Sequence, residues 1–240
     1  MKSRVSLDGI LPVDKASGMT SHDVVAIVRR AFSTKKVGHC GTLDPLATGL
    51  LLVTIGKGTK IQDLLMSEDK EYIGTLRLGS ITDSQDAEGA ILERRSVPHF
   101  SALQIEKAFC QLTGDFYQIP PMVSAIKRNG VPLYRLAREG KNVERTPRFV
   151  HVHAFEILSV RLPEVDFCVE CSKGFYVRTY AHDIGMILGC GAYLQSLRRT
   201  RSGKFSLHGA TTVEEVKNSS WDLLKRRVLS LPVVSRLRSA

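Results

Sequence analysis

Gly38-His39-Cys40-Gly41-Thr42-Leu43-Asp44-Pro45-Leu46-Ala47-Thr48-Gly49 is the segment on which the reading of this chain turns. Its glycines permit tight turns and close approach of a ligand to the backbone. Pro45 fixes its own φ and pushes Asp44 out of the helical region. One carboxylate is thereby held in a rigid loop that leads into Leu50–Ile55, an apolar, β-rich run with the character of a buried strand. From residue types alone, Asp44 is either a reactive carboxylate or a turn residue bonded to its own backbone, and both readings stand.

On either side of this loop the pattern changes type repeatedly. Leu7–Val13 reads as a short strand that ends in the turn cluster Asp14–Gly18. Thr20 or Ser21 can cap a helix whose apolar positions Val24, Val25, Ile27, Val28 and Phe32 follow helical spacing. Tyr72–Leu78 alternates as a strand does, and Val150–Leu158 and Asp166–Cys171 read as strands too. Ser101 can cap a helix that Gly114 stops, and Tyr176–Leu188 reads as a helix stopped by Gly189. Strands and helices mix without regular βαβ alternation, which predicts an α+β fold.

The 240 residues are 43% apolar and 24% charged, too apolar for a disordered chain and long enough for a core without disulfide staples. No run approaches the roughly 18 apolar residues of a membrane span. Asp8 and Asp14 interrupt the apolar part of the N-terminus, so it does not read as a signal peptide. Five scattered cysteines suit free thiols in a reducing cytoplasm. The net charge of +10 points to a polyanion, nucleic acid before membrane. It is concentrated: residues 124–148 hold seven bases and two acids, and residues 198–240 hold ten bases and three acids.

Several motifs fail on spacing. Cys168 and Cys171 are three apart in a strand and face opposite sides, so they do not form a zinc half-site. His151-x-His153 lacks a third ligand nearby in sequence. Gly56-Lys57-Gly58-Thr59-Lys60 lacks the phosphate-loop spacing, and the Asp83, Asp86, Glu88, Gly89 cluster lacks the closing Glu of a calcium loop and reads as a turn. Neither a metal nor a nucleotide cofactor is expected.

Gly41–Gly49 resembles the signature of the TruB family of tRNA pseudouridine synthases. Further matches follow in the family's order: Asp14-Lys15-x-x-Gly18-x-Thr20-Ser21, Lys70-Glu71-Tyr72, Leu78-Gly79-x3-Asp83-x2-Asp86, and Gln118-Ile119-Pro120-Pro121-Met122-x-Ser124-Ala125-x-Lys127 with Leu133-Tyr134. Cys171-Ser172-Lys173-Gly174-x-Tyr176-x-Arg178-Thr179 and Leu197-Arg198-Arg199 complete the set, so the resemblance runs from about Ile10 to Val216. It implies a pseudouridine synthase fold: a mixed, mostly antiparallel central sheet flanked by helices, with a thumb insertion at about residues 118–148.

The resemblance also implies roles. Asp44 would be the nucleophile that isomerises uridine 55 in the T loop of tRNA after the nucleotide is flipped out. Arg178 would be its ion-pair partner, Tyr72 would stack on the target base, and Tyr176 and Leu197 would line the pocket. His39 would fill the space the nucleotide leaves. Lys15, Lys60, Lys127, Arg128 and Arg135 are the candidate phosphate contacts. The expected partner is the tRNA T stem-loop, met by a monomer in the cytoplasm, with no membrane partner. The competing reading is a tRNA chaperone or RNA-binding module with little catalysis.

Two departures from the family pattern stand out. Cys40 occupies a position where the family commonly has a small hydroxyl residue. Only about forty residues follow Arg199, too few for the PUA domain that many family members carry. The expected organisation is therefore a catalytic domain over residues 1–216 and a basic tail over 217–240.

Overall fold

The computed structural model describes residues 7–239 apart from 125, 129 and 142; the side chains of residues 127 and 138 also lie outside the described set. The chain forms two compact units, one built from its first 72 residues together with those after 197, the other from residues 73–197.

In chain order, the first unit holds β1 (Gly9–Lys15), α1 (Ser21–Phe32), β2 (Val37–Cys40), β3 (Thr48–Ile55), a 3₁₀ turn (Gly56–Ile61) and α2 (Gln62–Met66). β4 (Lys70–Leu78) carries the chain into the second unit. There follow β5 (Ser80–Thr82), β6 (Ile91–Arg94), α3 (Ala102–Cys110), β7 (Gly114–Gln118), β8 (Lys127–Arg128), β9 (Val131–Pro132), α4 (Leu133–Arg138), β10 (Arg148–Arg161), β11 (Glu164–Cys171) and α5 (Val177–Ile187). β12 (Ala192–Ser202) carries it back to β13 (Phe205–Ser206), β14 (Thr211–Thr212), α6 (Val213–Asn218), α7 (Trp221–Arg227), β15 (Leu229–Ser230) and α8 (Leu231–Ser239). The fold is α+β, with mixed, mostly antiparallel sheet flanked by helices, as expected. No helix among the described residues is long and apolar enough to cross a membrane.

In the first unit β3 is the organising strand. It pairs antiparallel with β1, from Gly9↔Ile55 to Lys15↔Gly49, antiparallel with β2, and parallel with β12 at Arg198↔Thr48 and Arg199↔Gly49. Leu50 and Leu52 join a core of Ile10, Cys40, Leu65, Phe205 and Val234. The alternate residues Leu51, Val53 and Ile55 are equally buried, which is why this strand reads as an unbroken apolar run. α1 forms where its spacing predicts: Thr20 accepts from the Asp23 amide, and the Asp23 carboxylate accepts from the Thr20 amide in a capping box. Val24, Val25, Val28 and Phe32 make its buried face.

The segment expected as a basic tail belongs to this unit over its described residues. β15 pairs antiparallel with β1, and Leu224 and Val234 are buried. Counting charge along the chain hides this, because the apolar positions of α7 and α8 are interleaved with their bases.

In the second unit the strand order is β4-β11-β10-β7. Phe109 of α3 packs on Phe155, Phe167 and Tyr180 at ring-centroid distances of 5.3, 5.6 and 5.6 Å, so one aromatic cluster joins α3 and α5 to the sheet. On β11 Cys171 is buried and Cys168 faces the other way, as the strand period requires. The insertion between β7 and β10 carries the β8–β9 hairpin and α4, and Arg145 donates to Pro120 O (3.0 Å) across its base.

Candidate active site

In the first unit the Asp44 loop joins β2 to β3, and its carbonyls are held by side chains from elsewhere in that unit. Arg199 Nη2 donates to Gly41 O (3.1 Å), and Ser21 Oγ donates to Leu43 O (3.1 Å) while accepting from Leu43 N (2.9 Å). Lys15 Nζ donates to Pro45 O (3.2 Å), and Ser17 Oγ donates to Leu46 O (3.2 Å). Backbone bonds add Gly18 N to Pro45 O (2.9 Å) and Ala47 N to Asp44 O (3.1 Å). A loop whose carbonyls at Gly41, Leu43, Asp44, Pro45 and Leu46 are met by donors has little freedom left to lose when it acts. Asp44 itself is half-buried. Gly49, at φ +99°, is required where the loop ends, because a Cβ there would meet Arg199 O at 2.3 Å.

Lys15 is fully buried, and its ammonium also donates to Ala16 O (2.9 Å) and Met19 O (2.7 Å). That geometry fits a brace for the loop and not the phosphate contact expected from sequence, where nothing distinguishes a buried lysine from an exposed one. Arg198 pairs with Asp14 (2.7 Å) and donates to Thr48 Oγ1 (3.3 Å).

His39, at the end of β2, meets His22 of α1 edge-to-face with centroids 5.4 Å apart. Burial, then the neighbouring His22 and Arg199 charges, push its pKa down to about 4. The ring is therefore neutral at physiological pH. Burial pushes the Cys40 thiol up to about 12, which makes it an inert packing group. Tyr72 is buried, at 8% exposure, and Lys60 is exposed on the 3₁₀ turn.

In the second unit Tyr176 stands at the N-cap of α5 and Arg178 lies in its first turn. Arg178 is 3% exposed; Nη1 donates to Ser84 O (2.9 Å) and lies 3.4 Å from the Asp86 carboxylate, and Nη2 donates to Val123 O (2.8 Å). Asp86 is held in turn by Ser84 Oγ (2.5 Å) and Glu88 N (3.1 Å). The acidic cluster is the turn that its spacing suggests, with the added task of seating Arg178. Buried Gln118 accepts from Tyr176 N (2.8 Å) and donates to Tyr176 O (3.1 Å), which ties the end of β7 to the start of α5. Leu197 is buried. In the insertion Arg128 and Arg135 are exposed, and Arg128 donates to Glu144 O (2.6 Å); the Lys127 side chain lies outside the described residues.

The first unit thus brings Asp44, Lys15 and His39 to one loop and its flanking strand, and the second gathers Tyr176, Arg178 and the base of the insertion. Arg199 and Gln118 have no roles legible in the sequence, and there Ser21 reads only as a helix cap and Asp86 only as part of a turn, although all four fall inside the motifs that carry the resemblance. Their tasks are contacts across 22 to 158 positions of chain, which no local spacing encodes.

Two family descriptions match the chain: TruB family pseudouridylate synthase (N terminal domain) over residues 29–177, and tRNA pseudouridylate synthase B C-terminal domain over residues 178–233. A tRNA pseudouridine synthase B of Opitutus terrae is 51% identical over 229 residues, covering 95% of both chains. One of Syntrophotalea carbinolica is 49% identical, covering 88% of this chain and 69% of its own. Among solved structures, a chain of a Cbf5-Nop10-Gar1 complex matches with a TM-score of 0.73 at 27% identity, over 95% of this chain and 62% of that one. A chain of an archaeal box H/ACA sRNP Nop10-Cbf5 complex gives 0.66 at 26%, over 96% and 58%. This chain therefore spans about three fifths of the length of those two structures. By sequence and by fold, the chain belongs to the TruB family of pseudouridylate synthases.

Proposed function

We propose that the protein isomerises uridine 55 in the T loop of tRNA to pseudouridine, with Asp44 as the nucleophile. The supporting observation is the Asp44 loop: a half-buried carboxylate on a segment whose carbonyls are clamped by Arg199, Ser21, Lys15 and Ser17. Such bracing is what a group that must meet one carbon atom in one geometry requires. In the reaction the N1–C1′ bond breaks, the uracil turns over, C5 bonds to C1′, and the proton on C5 leaves to solvent as N1 regains one. Reactant and product are isomers, so no oxidant or energy donor enters the balance.

The nucleotide reaches the carboxylate by flipping out of the T loop. Tyr72 and Tyr176 offer aromatic faces that recover stacking worth about 1–3 kcal/mol per base. His39, neutral at physiological pH, suits occupation of the vacated space without carrying charge into it. Arg178 supplies a fixed cation and Leu197 an apolar wall. Exposed Lys60, Arg128 and Arg135, together with Lys127, are assigned to phosphates, whereas Lys15 is assigned to bracing the loop. The enzyme works as a monomer in the cytoplasm, where its tRNA substrate is found.

The test is to map pseudouridine by carbodiimide adduct and primer extension in an unmodified tRNA transcript and in the same transcript with cytidine at position 55. Product at position 55 alone, absent from the cytidine transcript, is expected. Product at another position, or none, overturns the reading.

A further inference from the structure

Among the described residues Arg199 is the largest fully buried side chain, at 1% exposure, and it carries a permanent charge. Its Nε donates to Leu50 O (2.7 Å) and its Nη2 to Gly41 O (3.1 Å). Those two carbonyls stand at opposite ends of the Asp44 loop, so one planar guanidinium ties residue 41 to residue 50 across everything between. The backbone of Arg199 completes the closure. It pairs in parallel with Gly49, so tightly that a Cβ on Gly49 would fall 2.3 Å from Arg199 O and 2.8 Å from its N.

We propose that Arg199 is a positioning residue for the reaction, closing the Asp44 loop from both ends so that the carboxylate is held in its working geometry. This inference rests on the reading of Asp44 as nucleophile. Three observations support it. Filling this site with an apolar side chain would satisfy a core without the cost of desolvating a charge, so what the guanidinium adds is the connection between two carbonyls. The fork supplies two donors in a fixed relation, which a lysine ammonium on a flexible stem does not reproduce. The same charge contributes to keeping His39 neutral, so one group sets both the loop and the ring beside it.

The experiment compares wild type with Arg199→Lys, Arg199→Gln and Val234→Ala in single-turnover assays on tRNA transcript, alongside tRNA affinity and thermal melting. Val234 lies in the core of the same unit, and its truncation destabilises that unit while removing none of the hydrogen bonds that close the loop. Arg199→Lys is expected to lower the chemical rate about a hundredfold, the cost of a displacement near 1 Å. Its tRNA affinity stays within about threefold of wild type, the separation that marks loss of transition-state geometry and not of binding. Val234→Ala keeps the wild-type rate in its folded population.

Wild-type turnover by Arg199→Lys overturns the proposal. So does a loss of rate that Val234→Ala matches at an equal drop in melting temperature. Unfolding of both Arg199 variants at the assay temperature assigns the residue to stability alone and also overturns it. A wild-type protein that makes no pseudouridine contradicts the parent reading instead, so the two failures are distinct.

Discussion

His39 and Asp183 are each held away from their usual protonation range, in opposite senses, and the pH dependence of stability separates them. His39 has its pKa lowered to about 4, so between pH 6.5 and 4 the unfolded chain binds a proton that the folded chain refuses. Stability therefore falls as pH drops through that window. Thermal melts from pH 7.5 to 4 should show this loss, and His39→Asn should reduce it. Burial raises Asp183 to about 6, so the folded chain keeps its proton while the unfolded chain gives it up above 3.8. Stability from this group is complete below that value and is lost as pH rises through 6. Asp183→Asn should accordingly melt higher than wild type at pH 8, and the two should converge near pH 4. Neither residue's environment could be read from its sequence neighbours. Burial sets both shifts, and burial is a property of the packed unit.

The elements that order the site depend on a few side chains. Gln118→Ala removes the side chain that accepts from the Tyr176 amide and donates to the Tyr176 carbonyl, which the Tyr180 amide also meets (3.0 Å). The expected cost of losing both bonds is about 1–3 kcal/mol, measured by urea unfolding. Thr20→Ala removes the capping box of α1 and should cost about 1 kcal/mol in the same measurement. α1 is legible in the sequence because its cap and its apolar spacing agree. β3 is legible because both of its faces are buried. β12 is not: Arg199 occupies a buried position where a strand pattern calls for an apolar residue, and Arg198 and Arg201 flank it, so the segment reads as a basic run. The Asp44 loop is legible as rigid from Pro45 and its glycines. Its braces at positions 15, 17, 21 and 199 are not, because each reaches the loop through the fold.

Across the chain the +10 charge divides by task. Lys15 and Arg199 are buried structural cations, and Arg178 is seated by Asp86. The bases of α7 and α8 lie on the outside of helices whose apolar sides join a core. Arg128 and Arg135 remain exposed on the insertion. Replacing both by Ala should weaken tRNA binding and lower the slope of log K against log salt by about 1 for each phosphate no longer neutralised. The single-turnover rate at saturating enzyme should not change. The assignment of Asp44 as nucleophile is tested by tritium release from tRNA transcript labelled at C5 of uridine, comparing wild type with Asp44→Asn. The wild type should release label, and the variant should bind the same tRNA with similar affinity and release none above background; release by Asp44→Asn at the wild-type rate would contradict the assignment.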